Sequence, residues 1–141
     1  MNRVYWDSML FIYLLEANPV FGKRVQQTHE AMLRRGDILC TSVFTVGEVL
    51  SGPRKRNDLV GINTLTKFFD GKEVEILPFN HEGADRYSII RANMRVGQAD
   101  GIHLATAATA RVDLFITNDG KLRTLSIPGI RFFADLDGKV S

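Results

Sequence analysis

Short, continuous apolar runs alternate along this chain with longer segments in which apolar residues recur at helical spacing. Apolar runs that are not interrupted by polar residues are typical of strands buried on both faces of a sheet. Five runs of this kind predict strands, at residues 4–6, 38–40, 74–77, 114–117 and 130–133. We therefore expect a sheet that is covered by other elements on both sides.

The segments between these runs predict helices, over residues 8–15, 21–35, 59–69, 81–94 and 99–110, with a further helix that starts at Ser42 or Thr45. The Ser8 hydroxyl is expected to cap the first helix, Gly36 to end the second, and Gly52-Pro53 to disrupt the one after Ser42 or Thr45. Alternation of helices with buried strands predicts an α/β fold with a mainly parallel central sheet of four to five strands and helices on both faces.

The size and composition of the chain indicate one ordinary domain. With 141 residues and 45% hydrophobic composition, residues 1–141 are expected to bury a single core. Cys40 is the only cysteine, which excludes an internal disulfide and a thiolate metal cluster and favours a reducing compartment. A secretory signal pattern and a membrane-length apolar run of roughly 18 residues are both missing. We therefore expect a cytoplasmic protein without a membrane partner.

The overall charge says little about partners by itself. The net charge is +2, from 18 Lys and Arg against 16 Asp and Glu, which is too small to indicate nucleic-acid binding. The distribution of charge matters more than its sum. If several acids gather in one pocket, the remaining surface carries a larger positive excess than the total implies.

Four acids stand beside segments that otherwise have the composition of a core. Asp7 and Asp119 follow predicted strands, and Glu48 and Asp100 lie in early turns of predicted helices. A parallel sheet places the carboxyl ends of its strands at one edge, where binding sites form, so Asp7 and Asp119 are expected at the same edge. Glu48 and Asp100 could reach that edge if their helices pack against it. Buried carboxylates are costly unless a cation or hydrogen bonds compensate them, so this set predicts an acidic pocket.

The ligand types in this pocket favour a hard divalent cation. Carboxylate oxygens select Mg²⁺ or Mn²⁺. The three histidines, His29, His81 and His103, have no zinc-site spacing, and no cysteine pair is present. Carboxylates around Mg²⁺ commonly serve the attack of activated water on a phosphodiester. His103 is expected to have a structural role in which it bonds a neighbour, rather than to act as a general base.

Four stretches of this sequence resemble the acidic motifs of PIN-domain ribonucleases, and the best match is the VapC-type toxins of type II toxin–antitoxin systems. The stretches are Val4-Tyr5-Trp6-Asp7-Ser8, Thr45-Val46-Gly47-Glu48-Val49, Ala99-Asp100-Gly101-Ile102-His103-Leu104-Ala105-Thr106-Ala107 and Ile116-Thr117-Asn118-Asp119. The resemblance covers nearly the whole chain. It implies a single three-layer α/β/α PIN-like domain and an endoribonuclease that depends on Mg²⁺ or Mn²⁺ and hydrolyses RNA.

The resemblance also implies roles for individual residues and for partners. Asp7, Asp100 and Asp119 would hold the metal, directly or through water, while Glu48 completes the acidic pocket and helps orient the attacking water. Ser8 and Thr117 stand at the hydroxyl positions that support this pocket. The implied partners are an RNA substrate, a second copy of the chain in a homodimer, and a cognate antitoxin that inserts a segment near the acids.

This sequence departs from the family pattern at two positions. Gly101 stands where alanine is more frequent, and Leu122 where an aromatic residue is frequent after the last acid. A glycine there is expected to cost the helix roughly 1 kcal/mol relative to alanine. Neither departure removes an acid.

Other functions fit the sequence less well. An aspartyl phosphatase needs Asp-x-Asp, but Ser8 and Met9 follow Asp7, and a receiver domain needs an acid where Thr41-Ser42 follows the second strand. The strand-end aspartates could simply make side-chain turns, and Glu48 could face solvent. One alternative stays open, a non-catalytic PIN-like module that binds RNA or protein. Such a module would be expected to lose some of the four acids, and all four are present.

Overall fold

The computed structural model describes residues 2–140, which form five β-strands, six α-helices and one short 3-10 helix. The strands are β1 (Arg3–Trp6), β2 (Ile38–Ser42), β3 (Val74–Leu77), β4 (Leu114–Ile116) and β5 (Phe132–Ala134). The helices are α1 (Ser8–Leu15), α2 (Gly22–Arg35), α3 (Val43–Lys55), α4 (Leu59–Asp70), α5 (His81–Asn93) and α6 (Gln98–Thr109), and the 3-10 helix is Leu122–Thr124. The strands begin and end within two residues of the predicted positions.

The strands form one parallel sheet in the order β3-β2-β1-β4-β5. The chain moves outward from β1 through β2 to β3 and then crosses back to place β4 on the other side of β1. The order of the strands therefore reverses between β1 and β4, the place where α/β sheets open a crevice at the carboxyl ends of the strands. In the register of this pair, Trp6 lies opposite Ile116.

Helices cover both faces of the sheet. Successive strand residues point to opposite faces, so apolar strands expose apolar side chains on both faces unless other elements cover them. On one face, Val4 and Trp6 of β1 pack with buried side chains of α1, α2, α3 and α4. On the other face, Tyr5 packs with the buried faces of α5 and α6. This arrangement confirms the predicted three-layer α/β/α fold and explains why the strand sequences are apolar without alternation. Within residues 2–140, no helix combines the length and the apolar character needed to cross a membrane.

Most predicted helix ends agree with the structure. Gly36 ends α2 in the left-handed conformation, with φ of 74°, which glycine adopts without strain. Ser42 is the cap of α3, where its Oγ accepts a hydrogen bond from the Phe44 amide at 3.0 Å. At the start of α5, Asn80 is the cap, and its Oδ1 accepts a hydrogen bond from the Gly83 amide at 3.1 Å.

Two local predictions are wrong. The cap of α1 is Asp7, whose carboxylate accepts a hydrogen bond from the Met9 amide, so Ser8 is the first residue inside the helix and its hydroxyl is free for another partner. Gly52-Pro53 does not disrupt α3, which continues to Lys55. Pro53 is buried, and this apolar burial offsets the backbone hydrogen bond that a proline within a helix cannot make.

Candidate acidic site

Asp7 and Thr117 meet at the point where the strand order reverses. Each follows its strand directly, so the register that pairs Trp6 with Ile116 brings the two side chains together. Thr117 Oγ1 donates to Asp7 Oδ2 at 2.6 Å, and Asp7 Oδ1 accepts from the Met9 amide at 3.2 Å. Burial raises the pKa of Asp7, and the hydrogen bond from Thr117 only partly opposes this effect. Burial therefore makes the charged form of the Asp7 carboxylate energetically unfavourable.

The same threonine hydroxyl organises the loop that carries Asp119. Thr117 Oγ1 accepts a hydrogen bond from the Asp119 amide at 3.1 Å, and Asp119 Oδ1 accepts one from the Lys121 amide at 2.8 Å. From the far side of the loop, the Arg123 guanidinium donates to the Thr117 carbonyl oxygen at 3.0 Å. These bonds fix the exposed loop that brings Asp119 to the same cavity as Asp7.

Asp100 enters from the first turn of α6 and completes a group of three acids. Asp7, Asp100 and Asp119 line one cavity of about 280 Å³, together with Met9, Tyr13, Thr117 and Asn118. Burial raises the pKa of Asp100, and the negative charges of Asp119 and Glu48 raise it further. The structure thus brings the three predicted metal ligands to one cavity, and their role as ligands stays a prediction.

Glu48 lies beside this cavity rather than in its wall. It is on α3, its side chain is 31% exposed, and Ser8 Oγ and His103 Nε2 both donate to its Oε1, the latter at 2.7 Å. Burial raises the pKa of Glu48, but the hydrogen bonds from His103 and Ser8 outweigh it and leave the pKa below its usual value. Ser8 thus donates a hydrogen bond to Glu48, and its role as a supporting residue stays a prediction.

Two buried side chains near the site, His103 and Tyr5, were not among the predicted site residues. His103 is buried on α6 and bonds a neighbour as expected, with the Tyr5 hydroxyl 2.7 Å from its Nδ1. In the sequence, Tyr5 is one residue of an apolar core strand, which gives no sign that its hydroxyl has a partner. Its side chain points to the face of β1 opposite to Val4 and Trp6, and α6, which carries Asp100 and His103, packs on that face. The alternation of side chains along β1 is the one sequence feature that indicates this.

The donor set fits a hard divalent cation, although no ready-made cage is present. Within residues 2–140, no three His, Cys, Asp or Glu side chains are positioned as a metal-binding group. Mg²⁺ needs no such cage, because it retains several waters and commonly binds through one or two carboxylates plus the phosphate of a substrate. Three carboxylates around one open cavity, with the pKa of Asp100 raised by neighbouring negative charge, match that mode of binding.

The structure gives a reason for the glycine at position 101, the first of the two departures from the family pattern. A Cβ atom at Gly101 would lie 2.9 Å from Tyr87 Cε2 and 3.2 Å from Arg91 Cδ, so α5 approaches α6 too closely for an alanine without rearrangement. The expected advantage of alanine at this position therefore does not apply. Leu122 is buried in the core with residues of α5 and α6, and nothing in the structure explains the absence of an aromatic residue there.

Comparisons with known proteins agree with this architecture. The family model described as "PIN domain" matches residues 4–127. No curated protein sequence matches the chain. Among solved structures, the fold is similar to VapBC2 from Rickettsia felis bound to a DNA fragment from its promoter, with a TM-score of 0.71, 15% identity, and coverage of 94% of this chain and 98% of that chain.

Two further solved structures have the same fold. VapBC-1 from nontypeable Haemophilus influenzae has a TM-score of 0.70 and 19% identity, with coverage of 95% of this chain and 98% of that one. VapC20 from Mycobacterium tuberculosis, described as a sarcin-ricin loop cleaving toxin, has a TM-score of 0.69 and 11% identity, with coverage of 91% and 98%. At these identities the likeness establishes the fold.

Proposed function

The chain belongs to the PIN domain family, and on this premise we propose that it is a Mg²⁺- or Mn²⁺-dependent endoribonuclease, the toxin of a toxin–antitoxin pair. The observation that carries this proposal is the cavity at the carboxyl ends of β1 and β4, which Asp7, Asp100 and Asp119 line together. The motifs of the sequence and the switch in strand order lead independently to the same place. A ribonuclease with an acidic metal site accounts for both.

In this proposal the residues of the chain divide the work. Asp7, Asp100 and Asp119 hold the metal, and Thr117 holds Asp7 in position through its hydroxyl. When bound, Mg²⁺ or Mn²⁺ activates water and stabilises the charge that develops on the phosphodiester. Glu48 completes the acidic pocket and helps orient the attacking water, with its Oε1 held by Ser8 and His103.

Charge distribution supports RNA as the substrate class. Without the four acids of the site, the 16 acidic residues of the chain fall to 12, against 18 Lys and Arg. The rest of the chain therefore carries a formal charge of +6 (18 minus 12), which favours binding to a phosphate backbone. Similarity in fold to a toxin described as cleaving the sarcin-ricin loop supports the same class.

We also propose two protein partners, a cognate antitoxin and a second copy of the chain. Support for the antitoxin comes from the solved structures of similar fold that are VapBC toxin–antitoxin systems. If this is right, the antitoxin should suppress RNA cleavage when it is mixed with the purified protein at equal concentration. Size-exclusion chromatography with light scattering should show a homodimer in the absence of the antitoxin.

The direct test of the reaction is an RNA cleavage assay with Mg²⁺ or Mn²⁺, with EDTA, and with metal restored after EDTA. We expect cleavage only when metal is present, and loss of cleavage in Asp7→Asn and Asp100→Asn. The matched control is Asp85→Asn, which removes an exposed acid of α5. Full cleavage by the two site variants would refute the assigned site. If no metal-dependent cleavage occurs on any of a varied set of RNAs, the non-catalytic binding module becomes the better explanation.

A second test measures metal binding without any reaction. A cation that binds only the folded protein raises the melting temperature in proportion to its binding free energy. We expect Mn²⁺ to raise the melting temperature of the wild type and of Asp85→Asn, and to have a smaller effect on Asp100→Asn. Equal shifts in all three proteins would show that Mn²⁺ binds elsewhere.

A further inference from the structure

A buried line of hydrogen bonds connects the central strand of the sheet to Glu48. The Tyr5 hydroxyl of β1 lies 2.7 Å from His103 Nδ1, and His103 Nε2 of α6 lies 2.7 Å from Glu48 Oε1 of α3. Tyr5 is completely buried and His103 is 3% exposed. One imidazole ring therefore bridges three elements that are far apart in sequence.

The partners of the ring determine where its proton lies. The Glu48 carboxylate in front of Nε2 can only accept a hydrogen bond, so Nε2 is the nitrogen that carries hydrogen. In a neutral imidazole, one nitrogen accepts and the other carries hydrogen. With hydrogen on Nε2, Nδ1 is the acceptor, and the group in front of it is the Tyr5 hydroxyl, which donates to it. The tautomer of His103 is thus matched to a carboxylate partner.

The surroundings hold the ring in this orientation. Its plane meets Phe44 edge-on with 5.6 Å between ring centroids, and it meets Tyr5 edge-on at 5.9 Å. Thr45 Oγ1 lies 3.5 Å from Nδ1 and is itself hydrogen-bonded to Thr41 Oγ1 at 2.7 Å. Rotation of the imidazole would break contacts on two sides, so its Nε2 is aimed at Glu48 by the packing.

Glu48 is held in such a way that one of its oxygens stays available. Ser8 Oγ and His103 Nε2 both bond Oε1, whereas Oε2 receives no hydrogen bond from any group within residues 2–140. His103 itself does not line the cavity of the three aspartates, and both of its ring nitrogens have partners. The ring therefore acts on the site through Glu48.

We propose that His103 is a positioning residue that aims the free Oε2 of Glu48 at the attacking water, and that Tyr5 sets the His103 tautomer required for this. The inference rests on the proposed ribonuclease function, because it gives Glu48 the task of orienting water. It adds His103 and Tyr5 to the residues that set the rate of RNA cleavage, although neither residue touches the substrate.

A matched pair of substitutions tests the two ring nitrogens separately. His103→Gln keeps a donor near the position of Nε2, and His103→Asn keeps polar atoms only near the position of Nδ1. We expect the glutamine variant to cleave RNA within about threefold of wild type, and the asparagine variant to lose about 10- to 100-fold in kcat with little change in KM, as for loss of a supporting partner. If both variants are impaired equally, in proportion to a lowered melting temperature, His103 is only structural and the proposal fails.

A double-mutant cycle tests whether His103 acts through Glu48. In a Glu48→Gln background, His103→Asn should cause little further loss of kcat, because the oriented carboxylate is already gone. A full additional loss in that background would show that His103 acts by another route and would overturn the proposal. The Mn²⁺-dependent rise in melting temperature should be unchanged in the His103 variants, since the three aspartates are intact.

A spectroscopic measurement on the metal-free protein separates this inference from the proposed function. Nitrogen chemical shifts of the His103 ring should report hydrogen on Nε2 in the wild type, and Tyr5→Phe should shift this population towards Nδ1. Hydrogen on Nδ1 in the wild type would refute the inference even if RNA is cleaved. Absence of RNA cleavage by the wild type would refute the proposed function, while the ring spectrum would still support or refute the tautomer that Tyr5 sets.

Discussion

The candidate site has two halves that are held together by different means. The strand half consists of Asp7 and Thr117, which meet because adjacent parallel strands place Trp6 opposite Ile116. The helix half consists of Glu48 and His103, which meet through side-chain contacts between α3 and α6 and not through backbone pairing. Backbone pairing fixes the first half, and a few individual side chains fix the second.

The two halves also treat charge differently. Burial raises the pKa of Asp7, whereas the hydrogen bonds of His103 and Ser8 leave the pKa of Glu48 below its usual value despite burial. The strand half therefore holds an anion that is costly without a cation, and the helix half holds an anion that its neighbours already stabilise. A bound cation should therefore stabilise the charged acid of the strand half more than that of the helix half.

The largest effect should come from the strand half itself. Asp7→Asn removes the charge and keeps the size of the side chain, and we expect cleavage to fall by more than the roughly 100-fold upper range for loss of a supporting partner. Single-turnover cleavage rates at saturating Mg²⁺ measure this. A greater loss in Glu48→Gln than in Asp7→Asn would reverse the proposed ranking of the two halves.

The support of Asp7 should have the next largest effect. Thr117→Val keeps the shape of the buried side chain but removes the hydroxyl that bonds Asp7 and the Asp119 amide, so we expect roughly a 10- to 100-fold loss in kcat/KM. Thr117→Ser is the matched control because it keeps the hydroxyl. Equal losses in the two variants would indicate that the methyl group, rather than the hydrogen bond, matters.

Two glycines beside the helix acids should respond in opposite directions. Gly101→Ala places a methyl group against Tyr87 and should destabilise the fold by about 1–3 kcal/mol. Gly47→Ala, which has no atom within 4 Å of the added methyl group, should stabilise α3 by about 0.5–1 kcal/mol. Urea unfolding measures both free energies. Stabilisation by Gly101→Ala would mean that α5 can move away from α6.

The smallest effect should appear in the pH dependence of stability without metal. Because the pKa of Asp100 is raised in the folded protein, its charge destabilises the fold at neutral pH, and this cost disappears as the pH falls through the raised pKa towards 3.8. Asp100→Asn should therefore raise the melting temperature at neutral pH and lose this advantage in acid.

Glu48 should show the opposite behaviour, since its pKa is lowered in the folded protein. Its charge stabilises the fold above the usual glutamate pKa of 4.5, and this stabilisation is lost as the pH falls through the lowered value. Glu48→Gln should accordingly lower the melting temperature at neutral pH, with a difference from wild type that vanishes in acid. Melting curves of both variants from neutral to acid pH decide whether the two acids differ in sign.

Much of the fold followed from short-range patterns in the sequence. Apolar runs without alternation identified the five strands, and their alternation with helices predicted a parallel sheet between two helical layers. The positions of Asp7 and Asp119 after strands also implied a common edge, because parallel strands end together. Periodicity and strand direction are local properties, so a sequence displays them directly.

The sequence by itself thus determined the strands, the layers and the four acids, whereas the tertiary structure decided how those acids are held. Asp7 rather than Ser8 caps α1, and α3 continues through Pro53. The absence of a side chain at Gly101 allows Tyr87 to pack closely against α6. Each of these results depends on which neighbour occupies the adjacent space. The bond from Tyr5 to His103 joins residues 98 positions apart. No local pattern encodes such a contact, because it exists only after the sheet has formed and α6 has packed on it.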